Sequence, residues 1–209
     1  MKKIRVSIEG NGKVTIKLRK ERPAIETIEK GKDLAAPGGG LFLLSSSLIN
    51  QMEIRVESVF RPGQRDIEIA YAISGSNYPD MLHNFSSNEV IAHASQDRIT
   101  TSAEKMAEHI IKERPDKPKM IVAVHTHPDG VSELSEHDIS SMYHIAAKLK
   151  ERIAGVRVIF AVHAVSRESP RARTQIAKIA GNRIKWSSIT RTHEVTFFDE
   201  SAKPVEVLI

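Results

Sequence analysis

The chain has no cysteine among its 209 residues. Disulfides, thiolate metal sites and a cysteine nucleophile are thereby excluded together. A long apolar run is also missing. The most apolar stretch, Leu41 to Leu44 with Leu48 and Ile49 beyond, is broken by Ser45-Ser46-Ser47. It falls far short of the ~20 residues that a membrane span needs. The basic start Met1-Lys2-Lys3 leads into an alternation of apolar and polar residues, where a secretory leader would place an apolar core. A soluble, cytoplasmic protein is the expectation, with no membrane partner. Internal repeats are absent. No stretch concentrates charge of one sign strongly: 31 Lys and Arg against 26 Asp and Glu leave a net charge of +5. The local group Arg167, Arg171 and Arg173 reads as a solvated loop, so nucleic acid is not expected as a partner.

What is present is patterning. Ile4, Val6 and Ile8, then Val14, Ile16 and Leu18, alternate with polar neighbours around Gly10-Asn11-Gly12. Residues 3–19 are therefore expected to form a β-hairpin. Residues 20–40, ending in Pro37-Gly38-Gly39-Gly40, read as a linker. The expected organisation is an N-terminal hairpin extension and linker over 1–40, and a main domain over 41–209. From Ser46 the spacing of Leu48, Met52, Val56, Val59 and Phe60 predicts a helix stopped by Pro62-Gly63. A strand is expected over 67–74 and another around Val90 to Ala94. Ser102 would cap a second helix carrying Ala103, Met106, Ala107, Ile110 and Ile111. Strands are predicted over Met120 to His127 and over 156–165, with a helix from Ser135 between them. Further strands are expected around 175–180, 184–189, 193–198 and 204–209. Strands alternating with helices and followed by more strands predict an α/β (α+β) fold, a mixed sheet flanked by helices.

The chemistry is concentrated at the end of the strand 120–127. Side chains alternate along a strand, so His125 and His127 are expected to share a face about 7 Å apart, where they can converge on one ion. Pro128, Asp129 and Gly130 turn the chain, and Asp138 follows in the first turn of the next helix. Two imidazoles and a carboxylate make a zinc donor set that leaves one position for water. Each piece has an ordinary account: a lone His-x-His is usually solvent-facing, and Ser135-x-x-Asp138 is a common helix start. The combination is more specific, with seven residues between His127 and Ser135 and Asp138 three further on.

The run His125-Thr126-His127-Pro128, then Ser135-Glu136-His137-Asp138, resembles the JAMM motif of the MPN+ zinc metalloprotease family, which includes the proteasome-lid deubiquitinase and archaeal relatives. The resemblance covers about residues 41–165. It implies an MPN/cytidine-deaminase-like fold and one Zn2+ per chain on His125, His127 and Asp138. It implies Glu68 as general base, at the start of the strand that follows the first long helix, and Ser135 as the hydroxyl that steadies the oxyanion. Asp66 is the nearest rival to Glu68, while Glu53 and Glu57, inside the preceding helix, fit worse. His137 is expected to be exposed, and His163 to be either a core or a supporting histidine. No role is expected for His83, His93, His109, His144 or His193.

By the same resemblance, the implied reaction is hydrolysis of the isopeptide or peptide bond after the C-terminal glycine of ubiquitin or a ubiquitin-like modifier. The partners would be conjugates of such modifiers, with a homodimer or a proteasome-type partner left open. Segments 76–89 and 166–174 fall where such enzymes carry loops that grip the modifier. Two alternatives stay open: a zinc peptidase acting on other substrates such as sulfur-carrier proteins, and a non-catalytic assembly scaffold of the same fold.

Overall fold

Residues 120–127, Met-Ile-Val-Ala-Val-His-Thr-His, carry β-branched residues and apolar groups on both faces, the pattern of a strand covered on both sides. The computed structural model, which describes residues 4–8, 14–18, 41–60, 67–85, 92–94, 99–166 and 172–209, builds a sheet around it. The elements in chain order are β1 (Ile4–Ile8), β2 (Val14–Leu18), β3 (Phe42–Leu43), α1 (Ser46–Val59), β4 (Ala70–Gly75) and β5 (Pro79–Asn84). Then come β6 (Ala92–Ala94), β7 (Ile99–Thr101), α2 (Ala103–Glu113), β8 (Met120–His127), α3 (Glu136–Arg152) and β9 (Arg157–Ser166). β10 (Ala177–Ala180), β11 (Arg183–Ser187), β12 (Thr192–Asp199) and β13 (Val207–Leu208) complete the chain.

Seven strands form the main sheet in the order β10-β11-β12-β9-β8-β4-β5. Only β8 and β9 run parallel within it, and α3 makes the crossover that a parallel pair requires. The other neighbours are antiparallel. The expected mixed α/β architecture is observed, with three helices among the described residues.

Alternation along the strands divides the core in two. Tyr71, Ile73, Val122, Val124, Ile159 and Phe197 face one side, where Leu48, Ile49, Met52 and Val56 of α1 cover them. Ala70, Ala72, Ala123, Val158 and Phe160 face the other, beneath Met106, Ala107 and Ile110 of α2 and Met142, Ala146 and Leu149 of α3. Burying a side chain the size of Ile49 or Met52 is worth roughly 1.5–3 kcal/mol. The small alanines at 70, 72 and 123 bring two helices close over the sheet end that carries the histidines.

Local signals set the helix limits. Ser45, Ser102 and Ser135 are the N-caps of α1, α2 and α3, each accepting from the backbone N–H three residues on. At Gly75 a Cβ would lie 1.7 Å from the Tyr78 carbonyl oxygen, so the turn into β5 admits only glycine.

Three expectations need correction. Residues 76–89 are not simply a loop, because Pro79–Asn84 forms the edge strand β5 paired to β4. The strand expected from residue 67 begins at Ala70. The strand expected over 204–209 is only the two-residue β13, which pairs in parallel with β3, Phe42 with Val207 and Leu43 with Leu208. β1 and β2 form an antiparallel hairpin sheet of their own, Val6 opposite Ile16. Contacts divide the chain into two units, Met1–Asp33 and Leu34–Ile209. The turn Gly10-Asn11-Gly12, the linker 20–40, Pro62-Gly63, Asp66, Val90, Arg167 and Arg171 lie outside the described residues. No helix among the described residues is long and apolar enough to cross a membrane.

Candidate metal centre

β8 is apolar until its last three residues, His125-Thr126-His127, and there the alternation decides who faces what. Thr126 is buried on the α1 side, and its hydroxyl accepts from the Ile69 amide at 2.9 Å. His125 and His127 therefore face the α3 side, at the end of the sheet. Their Nε2 atoms lie 3.0 Å apart. Asp138 comes to meet them: its Oδ1 is 3.1 Å from His125 Nε2, and its Oδ2 is 3.5 Å from His127 Nε2. The edges of a tetrahedron with zinc-to-ligand bonds of 2.0–2.2 Å are about 3.3–3.6 Å. These three donors therefore suit one ion of that size.

Two further groups orient the set. His127 Nδ1 donates to the Val131 carbonyl at 2.9 Å, which leaves the Nε2 lone pair turned to the site. Asp138 is fixed from its helix, where the backbone N–H of Ser135 and its hydroxyl donate to Oδ2 at 2.7 and 2.6 Å. The Ser135 hydroxyl accepts in return from the Asp138 N–H at 3.1 Å. The helix-start account of Ser135-x-x-Asp138 thus holds in full as a capping box. It does not compete with metal binding, because it uses Oδ2 and leaves Oδ1 aimed at His125. It does employ the Ser135 hydroxyl as both donor and acceptor toward Asp138.

Electrostatics agree with the geometry. Burial alone would raise the Asp138 carboxyl, but His125, His127 and Ser135 outweigh it and hold the group well below the usual carboxylate range. Burial would lower His127, yet Asp138, the Val131 carbonyl and Glu68 together leave it raised. Three side chains, each only 12–17% exposed, share an excess of lone pairs that calls for a cation or a proton.

Glu68 stands on the same face. Ala70 pairs with His125, and the Ile69 carbonyl accepts from the Thr126 N–H at 2.9 Å, so Glu68, expected at the start of the strand and found two residues before it, falls in register opposite His127. Ile67 and Ile69 pack into the α1-side cluster, which turns the half-buried Glu68 to the side of His125 and His127. Its charge acts on His127. Glu53 and Glu57 are on the opposite side of the sheet, where Glu53 accepts from Trp186 Nε1 at 2.7 Å and Glu57 accepts from Thr190 at 2.6 Å. No family model matches the chain. No curated protein matches it either. The functional argument therefore stands on the site itself.

Beside the donors lies a cavity of ≈ 360 Å³ between α2, α3 and the sheet, walled by Met106, Met142, Ile145 and Phe160 with His125 and Asp138. His137 is exposed, as expected, and also lines it together with His144.

Sequence reasoning missed two groupings. His163, fully buried, has Nδ1 2.8 Å from the Tyr71 hydroxyl and Nε2 3.0 Å from His193 Nδ1. His193 in turn stacks on Trp186, with centroids 5.0 Å apart. His163 is thus a core histidine and makes no contact with the metal donors. His83 meets Glu113 at 2.5 Å, and His109 meets the same carboxylate at 3.2 Å. Only the i, i+4 spacing of His109 and Glu113 on one helix was visible beforehand.

Proposed function

We propose that the chain is a zinc-dependent peptidase of the JAMM/MPN+ type, with an MPN-like fold, in which His125, His127 and Asp138 hold the metal. The observation that carries this reading is the convergence of those three donors at zinc-like spacing, with Glu68 on the same sheet face. Two neutral imidazoles and one carboxylate leave the ion a single positive charge and an open position, the arrangement of a catalytic rather than a structural site. When bound, the zinc supplies Lewis acidity that polarises a substrate carbonyl and acidifies water.

This chain's residues do the rest. Glu68 takes a proton from the attacking water and delivers it to the leaving amine, a role that needs a carboxylate on the donors' face without serving as a donor. Val131 holds His127 in the tautomer that presents Nε2. Ser135 anchors Asp138 through the capping box, and it is released toward the substrate oxyanion only if one of those hydrogen bonds opens. The alanine-lined sheet end and the apolar walls of the adjoining cavity exclude water around the reacting bond.

The substrate class rests on the motif resemblance: the bond after the C-terminal glycine of ubiquitin or a ubiquitin-like modifier. An extended Gly-Gly tail suits capture along a strand, since backbone hydrogen bonds can hold a segment that has almost no side chains. The sheet order leaves β5 as the edge nearest the site, two strands from His125.

The test is turnover of such conjugates by zinc-loaded chain beside Glu68→Gln. Cleavage by the first, and a fall of at least about 100-fold in the second with metal content unchanged, supports the reading. Cleavage undiminished in Glu68→Gln contradicts the assignment of the base. Inertness toward every modifier conjugate, with sulfur-carrier precursors or short peptides cut instead, moves the substrate class and keeps the hydrolase.

A further inference from the structure

A second convergence of donors lies on the same sheet face, over β5 and beneath α2. In α2, His109 and Glu113 are one turn apart and project together. On β5, His83 pairs across from Ala72 and is fully buried, on the face shared with Ala70 and Ser74. Glu113 spans the two histidines: Oε2 is 2.5 Å from His83 Nδ1, and Oε1 is 3.2 Å from His109 Nε2. The three ligand atoms lie within 4.8 Å of one another. We propose that His83, His109 and Glu113 form a second divalent-metal site, of the zinc class, which pins α2 to the edge strand.

Two features favour an ion over a hydrogen-bonded cluster. Ser74 Oγ lies 2.7 Å from His83 Nε2, so His83 has an outer partner on one nitrogen and turns Nδ1 to the site. That is the support a metal-bound imidazole normally has. The Ser74–His83–Glu113 chain has the order of a nucleophile triad, but Ser74 is fully buried in the sheet and no substrate reaches it. Finally, Glu113 is 36% exposed, which gives an ion a path in and a fourth position for water.

Arg114, the cation whose charge acts on His83, is already matched. It pairs with Asp80, and its Nε lies 3.3 Å from Asp116. Its charge therefore opposes an incoming ion only weakly. The imidazole content selects zinc-class ions over magnesium or calcium, which prefer all-oxygen sites. With three donors supplied by a helix and an edge strand, the role assigned is structural: the ion ties down a strand that, among the described residues, is paired on one side only.

The experiment is cobalt(II) titration of metal-free Asp138→Ala, in which the His125/His127 centre is broken, read by visible d–d absorption. One equivalent is expected to bind and to raise the melting temperature. That equivalent and the rise in melting temperature should both be lost when His109→Gln is added, and again with Glu113→Gln. Glu113 is exposed and His109 is mostly covered, so circular dichroism is used to confirm that each variant is folded. Uptake of no cobalt by folded Asp138→Ala overturns the proposal. An equivalent that persists through both His109→Gln and Glu113→Gln also overturns it, since that ion would then sit elsewhere.

Discussion

His127 and Val131 are joined by a hydrogen bond of 2.9 Å from the ring Nδ1 to the backbone carbonyl, and this contact decides which nitrogen of His127 faces Asp138. The four-residue reach is closed by the turn at Asp129 and Gly130, where the Asp129 carboxylate accepts from the Val131 N–H at 3.0 Å. The loop is therefore part of the proposed metal centre, although none of its residues is a proposed donor.

Gly130 has φ +82°, in the left-handed region, while a Cβ there would meet Ser166 only at an ordinary 3.7 Å. Strain, not space, opposes a side chain. Gly130→Ala is expected to cost about 1–2 kcal/mol of stability. It should also weaken zinc binding about 10-fold by disturbing the Val131 carbonyl. Chemical denaturation and a competitive zinc titration check the two numbers separately.

Ser135→Ala removes the N-cap of α3 and two hydrogen bonds to Asp138. A loss of about 1 kcal/mol in stability is expected from the cap. A further fall of roughly 10-fold in zinc affinity is expected from the freed carboxylate. Ser135→Thr should recover both, because threonine caps as well. A Ser135→Ala chain with unaltered urea midpoint would show that the capping box contributes nothing.

The buried pair His163 and His193 makes stability depend on pH. Burial, followed by the neighbouring His193, pushes His163 well below the ordinary range. Burial lowers His193 to about 4, with Glu57 opposing and Arg191 and Arg173 assisting. A histidine depressed on folding binds fewer protons folded than unfolded, so stability is full above the unfolded value near 6.5 and falls as pH drops toward 4. His193 alone accounts for a loss of about 2 kcal/mol between pH 8 and pH 5. His127, which is raised in the metal-free chain, acts the opposite way. Urea melts of zinc-loaded wild type and His193→Gln from pH 8 to pH 5 should therefore give a steeper decline for the wild type. Equal slopes would remove His193 as the cause.

Much of this site was legible in advance because its logic is local. The alternation of β8 puts His125 and His127 on one face, and a serine cap three residues before Asp138 fixes where α3 begins. The strand β5 was not legible. Pro79-Asp80-Met81-Leu82-His83-Asn84 lacks β-branched residues, and its conformation is held by pairing with β4. A proline at the first residue of an edge strand costs no ladder hydrogen bond, so Pro79 is compatible with the strand. The groupings His83 with Glu113 and His163 with His193 each span 30 positions and arise only when the sheet forms. Periodicity within one element cannot report them.

The most direct test of the account is the zinc content of purified wild type beside Asp138→Ala, after metal-free preparation and reloading. The account predicts that the variant holds one zinc per chain fewer than the wild type while remaining folded. Equal zinc in the two chains, whether none or some, would contradict a metal centre on His125, His127 and Asp138.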